Sequence, residues 1–174
     1  DSDAVDRVLV VTGDATVADA VRAIGAETVA DRPDAGLNRA IALGSARAGS
    51  AVPQAALLAD VPALRSAELT DALYKATGTG TRAYVADHAG TGTTLLTAPA
   101  GMALDPRFGP GSAAAHAASG AIALDGDWPS LRLDVDTAAD LAAAARLGLG
   151  AYTARRVQAA ARAGRPIAMI DVIG

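Results

Sequence analysis

The run RVLVVTGDATVADAVRAIGAETVAD, residues 7–31, carries a strand, a helix and a second strand in quick succession. Residues 7–14 are a short valine-rich apolar stretch ending in Gly13–Asp14, the pattern of a buried parallel strand and its exit turn. Residues 16–24 form a helix, with Thr16 as the expected N-cap and Gly25 as the stop. Asp14 is expected to serve the turn or the cap. Residues 27–31 then read as a strand. The alternation continues down the chain. Helices are expected over 37–47, 66–76 (opened by Ser66) and 137–148, with a short one over 112–119 behind Ser112 as its cap. Strands are expected over 54–60, 82–87, 93–98, 121–124 and 131–136. Strand–helix alternation through short loops predicts an α/β domain: an open, mostly parallel mixed sheet with helices on both faces. The stretch 82–124 breaks the rhythm and predicts antiparallel or inserted structure. Residues 1–150 read as one domain. Residues 151–174 look appended, a basic helix followed by the apolar PIAMIDVI as a candidate strand.

Composition narrows the function. The 174 residues fit one domain. With 51% apolar but only 3% aromatic residues, its core must be aliphatic. Cysteine is absent, so disulfides and thiolate metal sites are excluded. The net charge of −4 without a basic cluster argues against a nucleic-acid partner. No apolar run is long enough to span a membrane, and the acidic start DSDAVDRVLVV lacks a signal-peptide pattern. The expected location is cytoplasmic.

Ligands of open α/β sheets bind beyond the carboxyl ends of the strands. Asp60 ends the strand AALLAD. In LRLDVD, period-two alternation places Leu131, Leu133 and Val135 on one face and Arg132, Asp134 and Asp136 on the other. Two carboxylates about 7 Å apart on one face repel unless a positive charge lies between them. Mg²⁺, or Mn²⁺, bound by carboxylates and substrate phosphates is one answer. The bland alternatives are a helix start at Thr137-x-x-Asp140 stabilised by Asp136, and an ion pair between Asp134 and an arginine.

A second feature lies in FGPGSAAAHAASG, residues 108–120. Gly109 and Gly111 permit sharp turns and free N–H groups, and the helix start behind them suits an anion. GTGTT at 90–94 adds hydroxyls and backbone N–H groups. There is no Gly-Lys-Ser/Thr phosphate loop. The plain alternative is a pair of ordinary glycine-rich loops. His88 and His116 have no metal-ligand spacing, and Trp128 is expected to be a packing anchor.

Four motifs in order, ALLADVPALRSAEL (56–69), VADHAGTGTTLL (85–96), LDPRFGPGSAAAHAASGA (104–121) and WPSLRLDVDTAADLAAAARLGLG (128–150), together with GLNRAI (36–41), resemble the phosphoenolpyruvate or 2-phospho-L-lactate guanylyltransferases of deazaflavin coenzyme F-420 synthesis. The likeness covers residues 7–150 and is to the actinobacterial form, which implies phosphoenolpyruvate as acceptor. It implies a Rossmann-like, GT-A-type nucleotidyltransferase fold, with GTP as donor and pyrophosphate as leaving group. It implies that Asp60, Asp134 and Asp136 hold the metal. It further implies that Thr94 (or its neighbour Thr93), Gly109 and Ser112 hold the acceptor, and that Asn38 lies near the nucleotide. The downstream transferase of that pathway is an implied partner. Members of the family begin with a strand, a basic phosphate-gripping loop and a helix, so one βα unit of the family is expected to be missing from this sequence. Other acceptors used on this fold, a molybdopterin or a sugar phosphate, and a non-catalytic binding role are the alternatives.

Overall fold

The computed structural model describes residues 2–33 and 35–163. Its elements are β1 (Leu9–Thr12), α1 (Ala15–Ala23), β2 (Glu27–Ala30), α2 (Leu37–Ala48), β3 (Gln54–Leu57), α3 (Ser66–Thr79), β4 (Ala83–Ala86), β5 (Thr93–Ala98), α4 (Ser112–Ala118), β6 (Ile122–Ala123), α5 (Pro129–Arg132), α6 (Ala138–Leu147) and α7 (Ala151–Arg162). The candidate strand PIAMIDVI lies outside the described residues.

The α/β class is as the alternation predicts. β1 and β2 pair in parallel, and a four-stranded sheet has the order β3-β5-β4-β6. β4 and β6 are parallel, whereas β5 runs antiparallel to both β3 and β4. The antiparallel part therefore falls where the sequence rhythm breaks. β1 is half-buried along its length rather than fully buried.

Helices cover both faces of the larger sheet. On one face Ala72 and Ala76 of α3 pack with Val85, Leu95, Trp128 and Leu131. On the other, Tyr84, Leu96, Leu104, Phe108 and Ala113 form a second cluster that α2 joins through Ile41. Small alanines let the helices lie close to the strands, so methyl and leucine side chains fill the core despite the lack of aromatics. Trp128 is the anchor expected of it: 2% exposed, its Nε1–H donates to Asp71 Oδ2 at 2.8 Å.

Several helix starts differ from expectation by one or two residues. Asp14, not Thr16, caps α1, its Oδ1 accepting from the amides of Thr16 and Val17. Arg65 and Gly111 are the cap residues of α3 and α4, so Ser66 and Ser112 are the first helical residues. The Thr137–Asp140 capping box forms as predicted.

The larger correction is 131–136, which is not a strand. Pro129 starts a single helical turn, α5, and Leu133 to Asp136 follow in irregular backbone. The cause is non-local. Glu68 of α3 accepts from the amides of Ser130 (2.8 Å) and Leu131 (3.2 Å), satisfying the turn's free donors. The apolar alternation still decides burial: Leu131 packs on the α3 side, and Leu133 and Val135 pack against α6.

Candidate functional site

The candidate residues gather at one end of the larger sheet, at the exits of β3 and β4 and the entry of β5. Main-chain bonds bring them there. Leu58 donates to the carbonyl of Thr94 at 3.0 Å, and Val135 donates to the carbonyl of Asp60 at 3.0 Å. The latter bond ties the irregular 133–136 segment to the end of β3 and brings Asp134 and Asp136 beside Asp60.

These three carboxylates interact. The carboxyl of Asp60 is pushed up from its ordinary value, first by loss of hydration and then by the charges of Asp134 and Asp136. Asp60 is exposed as a residue, so its carboxyl loses only part of its hydration. Asp134, with a side chain 17% exposed, is also pushed up by burial and by Asp87 and Asp136. Arg132 does not relieve this repulsion. Its guanidinium donates to the carbonyls of Ala86 (3.0 Å) and Leu124 (3.2 Å) and lies over the Trp128 ring. Among the described residues, His88 is the basic side chain that approaches, with Nδ1 3.4 Å from Asp134 Oδ1.

Among the described residues, no three His, Cys, Asp or Glu side chains converge into a formed coordination shell. The chemistry of the donor set nevertheless suits a hard divalent cation: oxygen ligands only, partly dehydrated and under mutual repulsion. Asp60, Asp134 and Asp136 are the residues that would hold it.

Asp87 belongs to the same corner and was not singled out from the sequence. Its Oδ1 accepts from Thr91 N–H (2.9 Å) and its Oδ2 from Gly92 N–H (2.8 Å), which folds residues 87–92 into a tight turn. A side chain at Gly92 would place its Cβ 2.5 Å from that carboxylate. The signal was available as an Asp ahead of a Gly/Thr-rich loop, the usual setting for side-chain-to-backbone turns.

The acceptor candidates form a second group. Between β4 and β5 the register slips, so that Val85 pairs with Leu95 but Ala86 with Thr93. This bulge gives β5 one extra residue and re-aims its entry. Thr93 and Thr94 are both buried, yet their hydroxyls differ. Thr93 Oγ1 bonds His116 Nδ1 at 2.9 Å, whereas Thr94 Oγ1 has no partner among the described residues.

The turn before α4 is held from three sides. Asn38 donates from Nδ2 to the Phe108 carbonyl (2.9 Å) and accepts the Phe108 amide at Oδ1 (2.7 Å). His116 Nε2 accepts the Arg107 amide (2.9 Å), and the Ala113 amide donates to the carbonyl of Thr91 (3.1 Å). Gly109 and Gly111 have φ of +131° and +73°, angles that a side chain would strain. Their N–H groups bond no other described residue, whereas the Ser112 amide already donates to the carbonyl of Gly109. Asn38 thus reaches the 107–112 turn. The two histidines part company: His88 faces Asp134, and His116 lies in the core.

Comparison with known proteins agrees with the α/β nucleotidyltransferase class of the fold. Residues 2–121 match the model of the MobA-like NTP transferase domain. The chain is 62% identical over 148 residues to a phosphoenolpyruvate guanylyltransferase of Salinispora arenicola, covering 84% of this chain and 69% of that one. It is 53% identical over 161 residues to the protein of that name from Geodermatophilus obscurus, covering 92% and 74%. The corresponding protein of Thermomonospora curvata is 51% identical over 156 residues, covering 87% and 68%. No described helix is long and apolar enough to cross a membrane. On sequence likeness across most of its length, the chain belongs to the MobA-like nucleotidyltransferases and, among them, to the phosphoenolpyruvate guanylyltransferase family.

Proposed function

We propose that this chain transfers the guanylyl group of GTP to phosphoenolpyruvate. A phosphate oxygen of the acceptor attacks the α-phosphorus of GTP, the bond to the β-phosphate oxygen breaks, and pyrophosphate leaves. The acceptor phosphate is already ionised at neutral pH, so no side chain need remove a proton.

The observation that carries this proposal is the juxtaposition of two unlike sites at one end of the sheet. One is a repelling set of carboxylates, Asp60, Asp134 and Asp136. The other offers donors: the N–H groups of Gly109 and Gly111 and the hydroxyl of Thr94, all without a partner among the described residues. A small molecule with both a phosphate and a carboxylate suits such a pair. The acidic residues would hold Mg²⁺ or Mn²⁺, which supplies charge neutralisation and alignment of the phosphates. The glycine turn would take the acceptor carboxylate and orient it. Asn38 holds that turn through Phe108, and Ser112 opens the helix behind it. The finer expectations belong to the same proposal: a role in coenzyme F-420 synthesis, a cytoplasmic location and hand-over to a downstream transferase.

Pyrophosphate release from GTP tests the proposal. It is expected with phosphoenolpyruvate, more weakly with 2-phospho-L-lactate, and not with a sugar phosphate. Release with a sugar phosphate alone would contradict it.

A further inference from the structure

We propose that His116 is a positioning residue for acceptor binding: its neutral ring, protonated on Nδ1, latches the 107–112 turn onto β5. The proposal rests on the assignment of that turn to the acceptor.

Hydrogen-bond direction fixes the tautomer. A main-chain N–H can only donate, so the Arg107 amide, 2.9 Å from Nε2, requires a lone pair there. The single proton of a neutral ring then sits on Nδ1 and is donated to Thr93 Oγ1 at 2.9 Å. The side chain is fully buried. The Phe108 ring meets it edge-on at 5.0 Å and Tyr84 lies at 5.9 Å. Its two partners are the residue before Thr94 and the residue two before Gly109. One imidazole therefore sets the spacing between both halves of the acceptor site.

The same bonds make the latch sensitive to acid. An imidazolium carries a proton on Nε2 and cannot accept the Arg107 amide, so protonation sets two donors against each other. Burial holds the ring below its ordinary range. Of the charged groups that act on it, Asp105 favours protonation, whereas Arg107 and Arg82 oppose it. The folded value thus lies below the unfolded one. The latch is fully present above about pH 6.5 and is lost as pH falls through the lower folded value.

Two substitutions separate the latch from simple packing. Gln in H116Q can place its amide oxygen near the Nε2 position, accepting the Arg107 amide without titrating. Asn in H116N is shorter and can reach only Thr93. With the full chain, KM for phosphoenolpyruvate and for GTP, thermal midpoints and hydrogen exchange at residues 105–112 are measured from pH 5 to 8. The parent is expected to lose acceptor affinity and turn protection together toward low pH. H116N should raise the acceptor KM about 10-fold at neutral pH, the worth of one buried hydrogen bond, with little change for GTP. H116Q should stay near the parent at neutral pH and lose the acid sensitivity of exchange in the turn. Variants that melt earlier yet keep the parent's acceptor KM and the acid loss of turn protection would overturn the proposal, as would acid-sensitive exchange of the turn surviving in metal-free H116Q. Exchange reports the latch without substrate. A parent with acid-sensitive exchange but no use of phosphoenolpyruvate would instead overturn the acceptor assignment on which the proposal stands.

Discussion

The Val135 amide donates to the Asp60 carbonyl at 3.0 Å, joining two acidic segments that lie far apart in the chain. Asp60 and Asp134 resist ionisation there, first because burial strips their hydration and then because neighbouring carboxylates repel them. Because their folded values lie above the unfolded ones, their charges cost stability at neutral pH, and the cost fades as pH falls through the raised values. A divalent cation should relieve it. Mg²⁺ or Mn²⁺ is expected to raise the thermal midpoint at pH 7.5 and to do so less at pH 5. A midpoint insensitive to either ion at both pH values would count against the metal assignment.

Asp134→Asn removes one of the repelling charges without removing volume. The fold is expected to survive with an unchanged or slightly higher melting temperature in the absence of metal. Metal affinity should fall about 100-fold or more, since loss of even an outer partner of a metal site costs 10–100-fold. Titration with Mn²⁺ checks this, and binding as tight as the parent's would remove Asp134 from the ligand set.

Gly109 has φ of +131°, and a branched side chain there carries strain of about 1–3 kcal/mol. Gly109→Val should raise the KM for phosphoenolpyruvate about 10-fold or more while leaving that for GTP nearly unchanged. An equal loss of both, with a lower melting temperature, would show misfolding rather than a damaged acceptor site.

Asn38 offers a sharper contrast. Its amide is committed to Phe108 on both sides, which makes it a clamp of the 107–112 turn. Asn38→Ala is expected to raise the acceptor KM more than the GTP KM. The opposite ordering would restore it to the nucleotide role that family likeness implies.

Asp87 holds its turn with two backbone bonds at a nearly buried carboxylate. Asp87→Ala leaves those donors without it and should cost about 2–4 kcal/mol of unfolding free energy. Gly92→Ala forces a Cβ to 2.5 Å from the carboxylate and should cost about 1–3 kcal/mol. Denaturant titration measures both. Wild-type stability in Gly92→Ala would show that the turn adapts.

What the sequence revealed and what it hid follow from the range of the forces involved. β1–α1–β2 and the Thr137–Asp140 capping box were legible because local periodicity and local hydrogen bonds decide them. The 131–136 segment reads as a strand because its apolar alternation is genuine, but Glu68 of a distant helix stabilises a helical turn at Pro129 instead. Asp60 was legible as an acid beyond a strand exit, whereas Asp134 and Asp136, expected on one face of a strand, lie in irregular backbone that the bond from Val135 to the Asp60 carbonyl brings beside it. His116 was opaque. Nothing in SAAAHAAS indicates that both ring nitrogens meet Thr93 and Arg107, since those contacts depend on the bulge in β5 and the turn before α4.

The central claim is that GTP and phosphoenolpyruvate meet at this end of the sheet and exchange a guanylyl group. Phosphorus NMR of the full chain with both substrates and Mg²⁺ tests it most directly. The account predicts one pyrophosphate for each phosphoenolpyruvate consumed, with the monoester signal of the acceptor replaced by a pair of coupled diphosphate signals. Pyrophosphate appearing at the same rate without phosphoenolpyruvate, or with its signal unchanged, would contradict it.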